Sequence, residues 1–387
     1  MRNLDTNAVS TRAPRRDVLA ELGVRTVINA AGTYTKFGGM LMRPEVVDAI
    51  AAVSGRCARL EDVHAAVGAR IAHLLECEAA LVTSGAAAAL TLGTAACITG
   101  DDPERIRRLP DLTGMKHEVV MQRAHRFLYD HAVRACGVRL VEVDTRDELE
   151  RAITDQTALL LFLNKAAPSG RIPAAEFIAV GKRRGVPTMN DAAADVPPVD
   201  TLFAYTRMGF DLVAVSGGKG LGGPQSAGLL LGRRDLVTAA RLNTAPHSDT
   251  VGRGLKVSKE EVIGMLVAVE TYLRRDHDAE WRAWEAAVSG LRSALEPLPR
   301  IQTEQFVPAI SNHVPHLRVR WRSAADGSIA EIAEELRAGD PPIEVVPVPQ
   351  EEDALEIASW TLQPGEAEIV ARRLREILIR RGADVPR

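Results

Sequence analysis

At 387 residues the chain is long for one small module and short for three, so its length argues for two domains, or one large domain with an appendage. Apolar residues at 46% and charged residues at 26% exclude a disordered chain, and aromatics at 4% leave the core to Ala, Leu and Val. The formal charge of 48 − 51 = −3 excludes the broad basic field of a nucleic-acid binder, although a pocket for an acidic ligand needs only a few local cations.

No apolar run approaches the roughly 18 residues needed to cross a bilayer, so no membrane partner is expected. Met1 to Arg16 is polar, Arg-containing and without an apolar stretch, which reads as a disordered tail and not a secretory leader. Cys57, Cys77, Cys97 and Cys136 form no CxxC pair and read as buried reduced thiols of a cytoplasmic protein. His313 and His316 are close, but no Cys or acidic residue stands at ligand-like spacing, so no metal is expected.

In chain order, a strand-like run from Arg25 to Ala31 precedes Gly32 and a loop through Gly38-Gly39. Pro44 opens a helix with Val46, Val47 and Ile50 on one face, and Leu60 to Leu75 is a second. Strand Ala79 to Thr83, the turn Ser84-Gly85 and an alanine-rich helix from Ala86 to Cys97 follow. The alternation continues with strand Glu118 to Met121, helix Asp130 to Cys136, strand Arg139 to Val143 and helix Arg146 to Ile153. Next come strand Ala158 to Leu163, helix Ala174 to Arg184, strand Pro187 to Asn190, and strands Leu212 to Ser216 and Ala227 to Gly232. Such alternation indicates βαβ units: an α/β fold with a doubly wound, mostly parallel sheet and a site along the strand C-terminal edge. From Ser258, whose partner Glu261 completes a capping box, a helical stretch from Glu260 to Leu295 breaks near Asp276 to Asp278. Strand-like Leu317 to Trp321 and Glu344 to Val348, with helices Ile329 to Arg337 and Pro364 to Arg381, predict a smaller α+β C-terminal domain.

Four features fall where such a sheet displays its chemistry. Thr83-Ser84-Gly85-Ala86 is a strand, a tight turn and a helix start, whose exposed N–H groups and dipole suit a phosphate; a plain strand-to-helix turn looks similar. Asp191 directly follows a buried strand, where an acid either finds a positive partner or serves as a helix N-cap. Lys219 follows the apolar run Leu212 to Val215 inside Ser216-Gly217-Gly218-Lys219-Gly220, and only seven of the 48 basic residues are Lys. An amine with restricted solvation loses proton affinity and becomes nucleophilic towards carbonyls, and arginine cannot replace it. His125 follows the strand ending at Met121, where an imidazole could stack on a planar ring or simply be a satisfied core residue. Together these are the needs of a phosphorylated pyridine aldehyde: a phosphate anchor, a ring cover, an acid for the ring nitrogen and an amine for the aldehyde. The competing reading is a nucleotide-binding or regulatory α/β protein without catalysis, but no G-x-G-x-x-G follows the first strand and Gly217 to Gly220 is no Walker A loop.

These motifs resemble those of fold-type-I (aspartate aminotransferase-like) pyridoxal-phosphate enzymes. More narrowly, Val27-Ile28-Asn29-Ala30-Ala31-Gly32, Asp191-Ala192-Ala193-Ala194 and Ser216-Gly217-Gly218-Lys219-Gly220-Leu221-Gly222-Gly223-Pro224-Gln225 are similar to the selenocysteine synthase-like group that includes D-glucosaminate-6-phosphate ammonia-lyase. The resemblance spans roughly residues 20 to 380, including Gly252-Arg253 through Lys256-Val257-Ser258-Lys259-Glu260-Glu261. It implies pyridoxal 5'-phosphate as cofactor, with Lys219 as its Schiff-base lysine and proton-transfer group and Asp191 on the pyridine nitrogen. By the same resemblance Ala193 and His125 cover the two ring faces, and Ser84, Gly85, Ala86 and Ser216 hold the phosphate. Thr33, Tyr34 and Lys36 would line the substrate side, and Arg318 and Arg320, on one face of a strand, would take a substrate carboxylate. The implied boundaries are a tail at 1–16, an N-terminal arm and active-site loop at 17–50, a large cofactor-binding domain at 51–255, and a linking helix with the small domain at 256–387. Members of this fold are typically dimers or larger, so a homodimer or higher homo-oligomer is expected, with Arg253 and Lys256 serving a neighbouring subunit. The implied reaction is α,β-elimination from a β-hydroxy, possibly sugar-derived, amino acid to a 2-oxo acid and ammonia, with racemisation or transamination from the same carbanion as alternatives. A tRNA substrate is not expected, because the chain has no basic excess.

Overall fold

Apolar runs bounded by glycine and proline assemble one large sheet and one small one. The computed structural model describes residues 16–321, 328–348, 351 and 353–382. Apart from Arg16, the tail expected over 1–16 lies outside them.

The N-terminal arm carries helix α1 (Val18–Glu21), with Asp17 capping it through the Ala20 N–H, and the two-residue strand β1 (Ile28–Asn29). This strand is shorter than the run expected over Arg25 to Ala31 and does not join the large sheet; it pairs in parallel with Ile343–Glu344, far along the chain. Helices α2 (Pro44–Ser54) and α3 (Leu60–Leu74) lead to β2 (Ala79–Thr83), α4 (Gly85–Thr99) and α5 (Pro103–Arg108). Then follow β3 (Glu118–Gln122), α6 (His131–Arg134), β4 (Arg139–Val143), α7 (Arg146–Ala152), β5 (Thr157–Leu163), α8 (Ala174–Arg184) and β6 (Thr188–Asp191). Helix α9 (Thr201–Met208) precedes β7 (Leu212–Ser216), β8 (Gly228–Gly232) and α10 (Arg234–Leu242).

The seven strands run in the order β2-β8-β7-β6-β5-β3-β4. All neighbours are parallel except the two pairs made by β8, which is antiparallel to both β2 and β7. The reason is local: residues 217–227 join β7 to β8 without a helix, and a parallel return needs a crossover. Ala158 through Phe162 of β5 have no exposed surface, as a strand covered by helices on both faces requires. Helix α4 is buried on nearly every side, from Ala88 to Ala96, and its small residues let it approach the sheet. At Gly93 a methyl group would stand 2.6 Å from the Met189 sulfur. Cys136 is buried as expected, but Cys57 is exposed, because it follows the end of α2 in a surface connection; all four thiols are free.

Ser258 and Glu261 form the expected capping box of α11 (Lys259–Arg274), and Asp276 caps α12 (His277–Leu295). Beyond them lie β9 (Ile301–Phe306), β10 (His316–Trp321), α13 (Ile329–Ala338), β11 (Ile343–Glu344), β12 (Val346–Pro347), β13 (Ala354–Ala358) and α14 (Glu366–Arg380). The strand expected over Glu344 to Val348 is in fact two. β11 pairs with β1, and β12 joins the antiparallel order β12-β13-β10-β9. Leu317, Val319, Leu355 and Ile357 on this small sheet pack with Val288 and Leu291 of α12 and Leu374 and Ile377 of α14.

Candidate active site

The neighbouring strands β2, β8, β7 and β6 bring three of the four expected features to one edge of the sheet, the Ser84 turn, Asp191 and Lys219. Ser84 stands at the N-cap of α4 with its hydroxyl making no capping bond, and Gly85 holds φ at +77°, a value that disfavours any side chain. Gly228 opens β8 against this turn: a methyl group there would lie 2.5 Å from the Gly85 carbonyl carbon and 2.7 Å from the Ala86 nitrogen. In the β7–β8 register Ser216 is paired with Gly228, which brings the Ser216 backbone beside the same turn. A helix N-terminus flanked by two serines is suited to a phosphate dianion.

Asp191 ends β6, is 6% exposed, and accepts the Ala193 N–H at 3.0 Å. Burial raises its pKa to about 6; the Ala193 N–H and Lys219 oppose the rise and Asp195 adds to it. Lys219 sits in the turn after β7. Desolvation lowers the proton affinity of its amine, Asp191 restores part of it, and Lys165 lowers it further. The two groups are therefore close enough to feel one another's charge. Gly39 of the arm presses on this turn, since a methyl group there would meet the Gly218 carbonyl oxygen at 2.6 Å, and the Met40 N–H donates to that oxygen at 2.9 Å. The Gln225 amide donates to the Thr35 carbonyl at 2.8 Å, so Thr33, Tyr34 and Lys36 lie in the arm held beside Lys219. Tyr34 and Lys36 are exposed and Thr33 and Ala193 half-buried. On the other side, Arg275 donates to the Leu221 carbonyl at 2.9 Å and the Gly220 carbonyl at 3.3 Å.

The remaining expected residues stand in other surroundings. His125 has no exposed surface: its Nδ1 accepts the Leu163 N–H at 3.1 Å, its ring meets Phe162 edge-on, and burial lowers its pKa to about 4. Gly170 packs against its Nε2. In this structure neither ring face opens on the cleft, and the neutral imidazole anchors the turn after β3 to the end of β5. Arg318 and Arg320 do share a face of β10, but both are taken up by carboxylates, Arg318 by Glu356 at 2.7 Å and Arg320 by Glu351 at 2.8 Å, with Glu304 touching both. Arg253 and Lys256 are exposed. Sequence reasoning missed Asp195, which is 3% exposed and hydrogen-bonded to Asn164, Tyr205 and Ser311. A second acid four residues beyond Asp191 was its only local signal.

Residues 27–283 match the family model described as "SelA: L-seryl-tRNA selenium transferase". The chain belongs to the SelA family. Within or near it, 5'-C-glycyluridine monooxygenase-decarboxylase of Streptomyces sp is 32% identical over 93% of this chain and 92% of that protein. D-glucosaminate-6-phosphate ammonia lyase of Salmonella typhimurium is 28% identical over 93% of this chain and 98% of its own length. A solved structure of D-glucosaminate-6-phosphate ammonia-lyase superposes with a TM-score of 0.82 at 26% identity, covering 94% of this chain and 99% of that one. A structure of SPT with PLP shares the fold at 14% identity, with a TM-score of 0.60 over 92% of this chain and 89% of that one. The SelA-family chain thus has the fold-type-I architecture that its motifs imply. Among its described residues no group of His, Cys, Asp and Glu could hold a metal ion, and no helix is long and apolar enough to cross a membrane.

Proposed function

We propose that the chain is a lyase that eliminates the β-hydroxyl of a sugar-derived β-hydroxy amino acid and releases a 2-oxo acid and ammonia. It is a pyridoxal-phosphate enzyme. The observation that carries the reading is the pair Lys219–Asp191, a desolvated amine facing a buried carboxylate, beside the serine-flanked start of α4. These groups fit the coenzyme: a phosphate corner at Ser84 to Ala86 and Ser216, a buried acid for a pyridine nitrogen, and an amine of reduced proton affinity for a carbonyl carbon. When bound, the coenzyme supplies an electron sink for negative charge developing at the substrate carbon that carries the amine.

Asp191 would hold a proton on the ring nitrogen of the bound coenzyme, where its buried carboxylate would gain a cationic partner. Lys219 would tether the coenzyme through its amine and, once free, would serve as the base for the substrate α-proton, proximity and basicity coming from one group. The Gly39–Gly218 and Arg275–Leu221 contacts fix the turn from both sides and keep that amine in reach. Thr33, Tyr34 and Lys36 line the substrate side. Arg318 takes the substrate carboxylate in exchange for Glu356, and Arg320 serves beside it. The ammonia lyase relative supports elimination from a sugar acid. The 32% identical relative favours a second reading, since its name pairs a monooxygenase with a decarboxylase.

One experiment separates them. Purified protein is expected to show a visible absorbance band that borohydride bleaches, and Lys219→Ala to be colourless and inactive. Amino-sugar acids and D- and L-β-hydroxy amino acids are then tested for 2-oxo acid, ammonia, oxygen uptake and carbon dioxide. Release of 2-oxo acid and ammonia without oxygen uptake supports elimination. Oxygen uptake with carbon dioxide release supports the second reading, and a colourless wild-type protein that gains no colour from added coenzyme overturns both.

A further inference from the structure

Asp195 has no part in the chemistry above, yet its bonding is elaborate. Its carboxylate accepts Asn164 Nδ2 at 2.8 Å from the end of β5, the Tyr205 hydroxyl at 2.9 Å from α9, and the Ser311 hydroxyl at 2.6 Å from the turn before β10. The Asn164 amide also donates to the Tyr205 oxygen at 2.7 Å. Next to it, the Asn312 N–H donates to the Ala194 carbonyl at 2.7 Å. Ser311 and Asn312 hold φ at +60° and +47°, values uncommon for residues with a side chain, and both bonds depend on that bend. Among the described residues no cation is paired with Asp195, so a buried carboxyl is held by neutral donors alone. An acid in such a place is costly unless its charge or its position is used.

We propose that Asp195 is a positioning residue: it fastens the Asp191–Ala194 loop to the turn before β10 and brings a second carboxylate to the Lys219–Asp191 pair. This rests on the reading of that pair as the coenzyme site. The fastening holds the Ala193 N–H where it meets Asp191 Oδ1. The charge favours the protonated form of whichever nitrogen occupies the cleft, the Lys219 amine in the apoprotein and the tethering nitrogen in the holoprotein.

The test compares wild type, Asp195→Asn and Ser311→Ala. In holoprotein, the pH midpoint of the visible absorbance is expected to fall by about one pH unit in Asp195→Asn, because a nearby negative charge is gone. In Ser311→Ala the midpoint stays, since the charge remains, while the coenzyme dissociation constant rises roughly 3- to 10-fold. In apoprotein, the pH dependence of Lys219 acetylation by acetic anhydride, read by peptide mass spectrometry, is expected to move down in Asp195→Asn as well. A folded Asp195→Asn protein with unchanged midpoints in both measurements overturns the proposal. Should Asp195→Asn fail to fold, Ser311→Ala decides, and an unchanged dissociation constant overturns it. If the wild type never shows a visible band, the coenzyme reading itself fails, and the acetylation profile still reads the Asp195 charge.

Discussion

Asp191 gives the apoprotein a pH signature. An ordinary aspartate loses its proton near 3.8, whereas burial keeps this one protonated to about 6 in the folded chain. Between those values the folded state binds a proton that the unfolded state has released, so stability falls as pH rises from about 4 to 6 and stays low above it. The effect is about 2 to 3 kcal/mol for a shift of this size. Asp191→Asn removes the penalty and keeps an oxygen for the Ala193 N–H. Its apoprotein is expected to be more stable than wild type by about that amount at pH 7 and equal to it near pH 4, as urea unfolding would show. The same variant is expected to lose activity, because the coenzyme nitrogen has no carboxylate to face.

Among the elements, the turn from Gly217 to Ala227 depends on its neighbours. It carries four carbonyls bonded from outside, Gly218 by the Met40 N–H, Gly222 by the Arg43 N–H, and Gly220 and Leu221 by the Arg275 guanidinium. Arg275 itself is largely buried at the junction of α11 and α12, and its guanidinium also stacks on Tyr272. Arg275→Met is expected to destabilise the fold by about 1 to 3 kcal/mol, since two carbonyls lose their donor, and to weaken coenzyme binding. Thermal melting of apoprotein and titration with coenzyme would check both. At this scale the sequence was most readable where an apolar run met glycine, as in β2–Gly85 and β7–Gly217. It was least readable in β9, where Ile301 to Phe306 reads IQTEQF and its half-exposed side chains leave no apolar stripe. Direction was harder than position: β8 was found as a strand, but its antiparallel course is set by the helix-free connection before it.

For the whole molecule, legibility followed distance along the chain. Lys219, Asp191 and Ser84 announce themselves by local context, whereas Ser311 reaches Asp195 across 116 residues, a contact that only folding creates. The partners of His125 were equally invisible, because Leu163 and Gly170 come from another βα unit. The surface carries its own expectation. Leu128 is 94% exposed, and Tyr129, Leu22 and Leu41 are also open to solvent. A second copy is the expected cover: light scattering should give twice the mass of one chain, and Leu128→Asp should shift it towards the monomer. Finally, the arm is stitched into the far end of the polypeptide. Ala30 donates to the Glu344 carbonyl at 2.9 Å and accepts the Ala358 N–H at 2.8 Å, and Thr361 donates to the Asn29 carbonyl at 2.7 Å. A nascent chain leaving the ribosome therefore exposes Ile28 and Ala30 early and can dock them only after residue 344 has been synthesised, so a chain cut short before that point would leave this strand without its parallel partner.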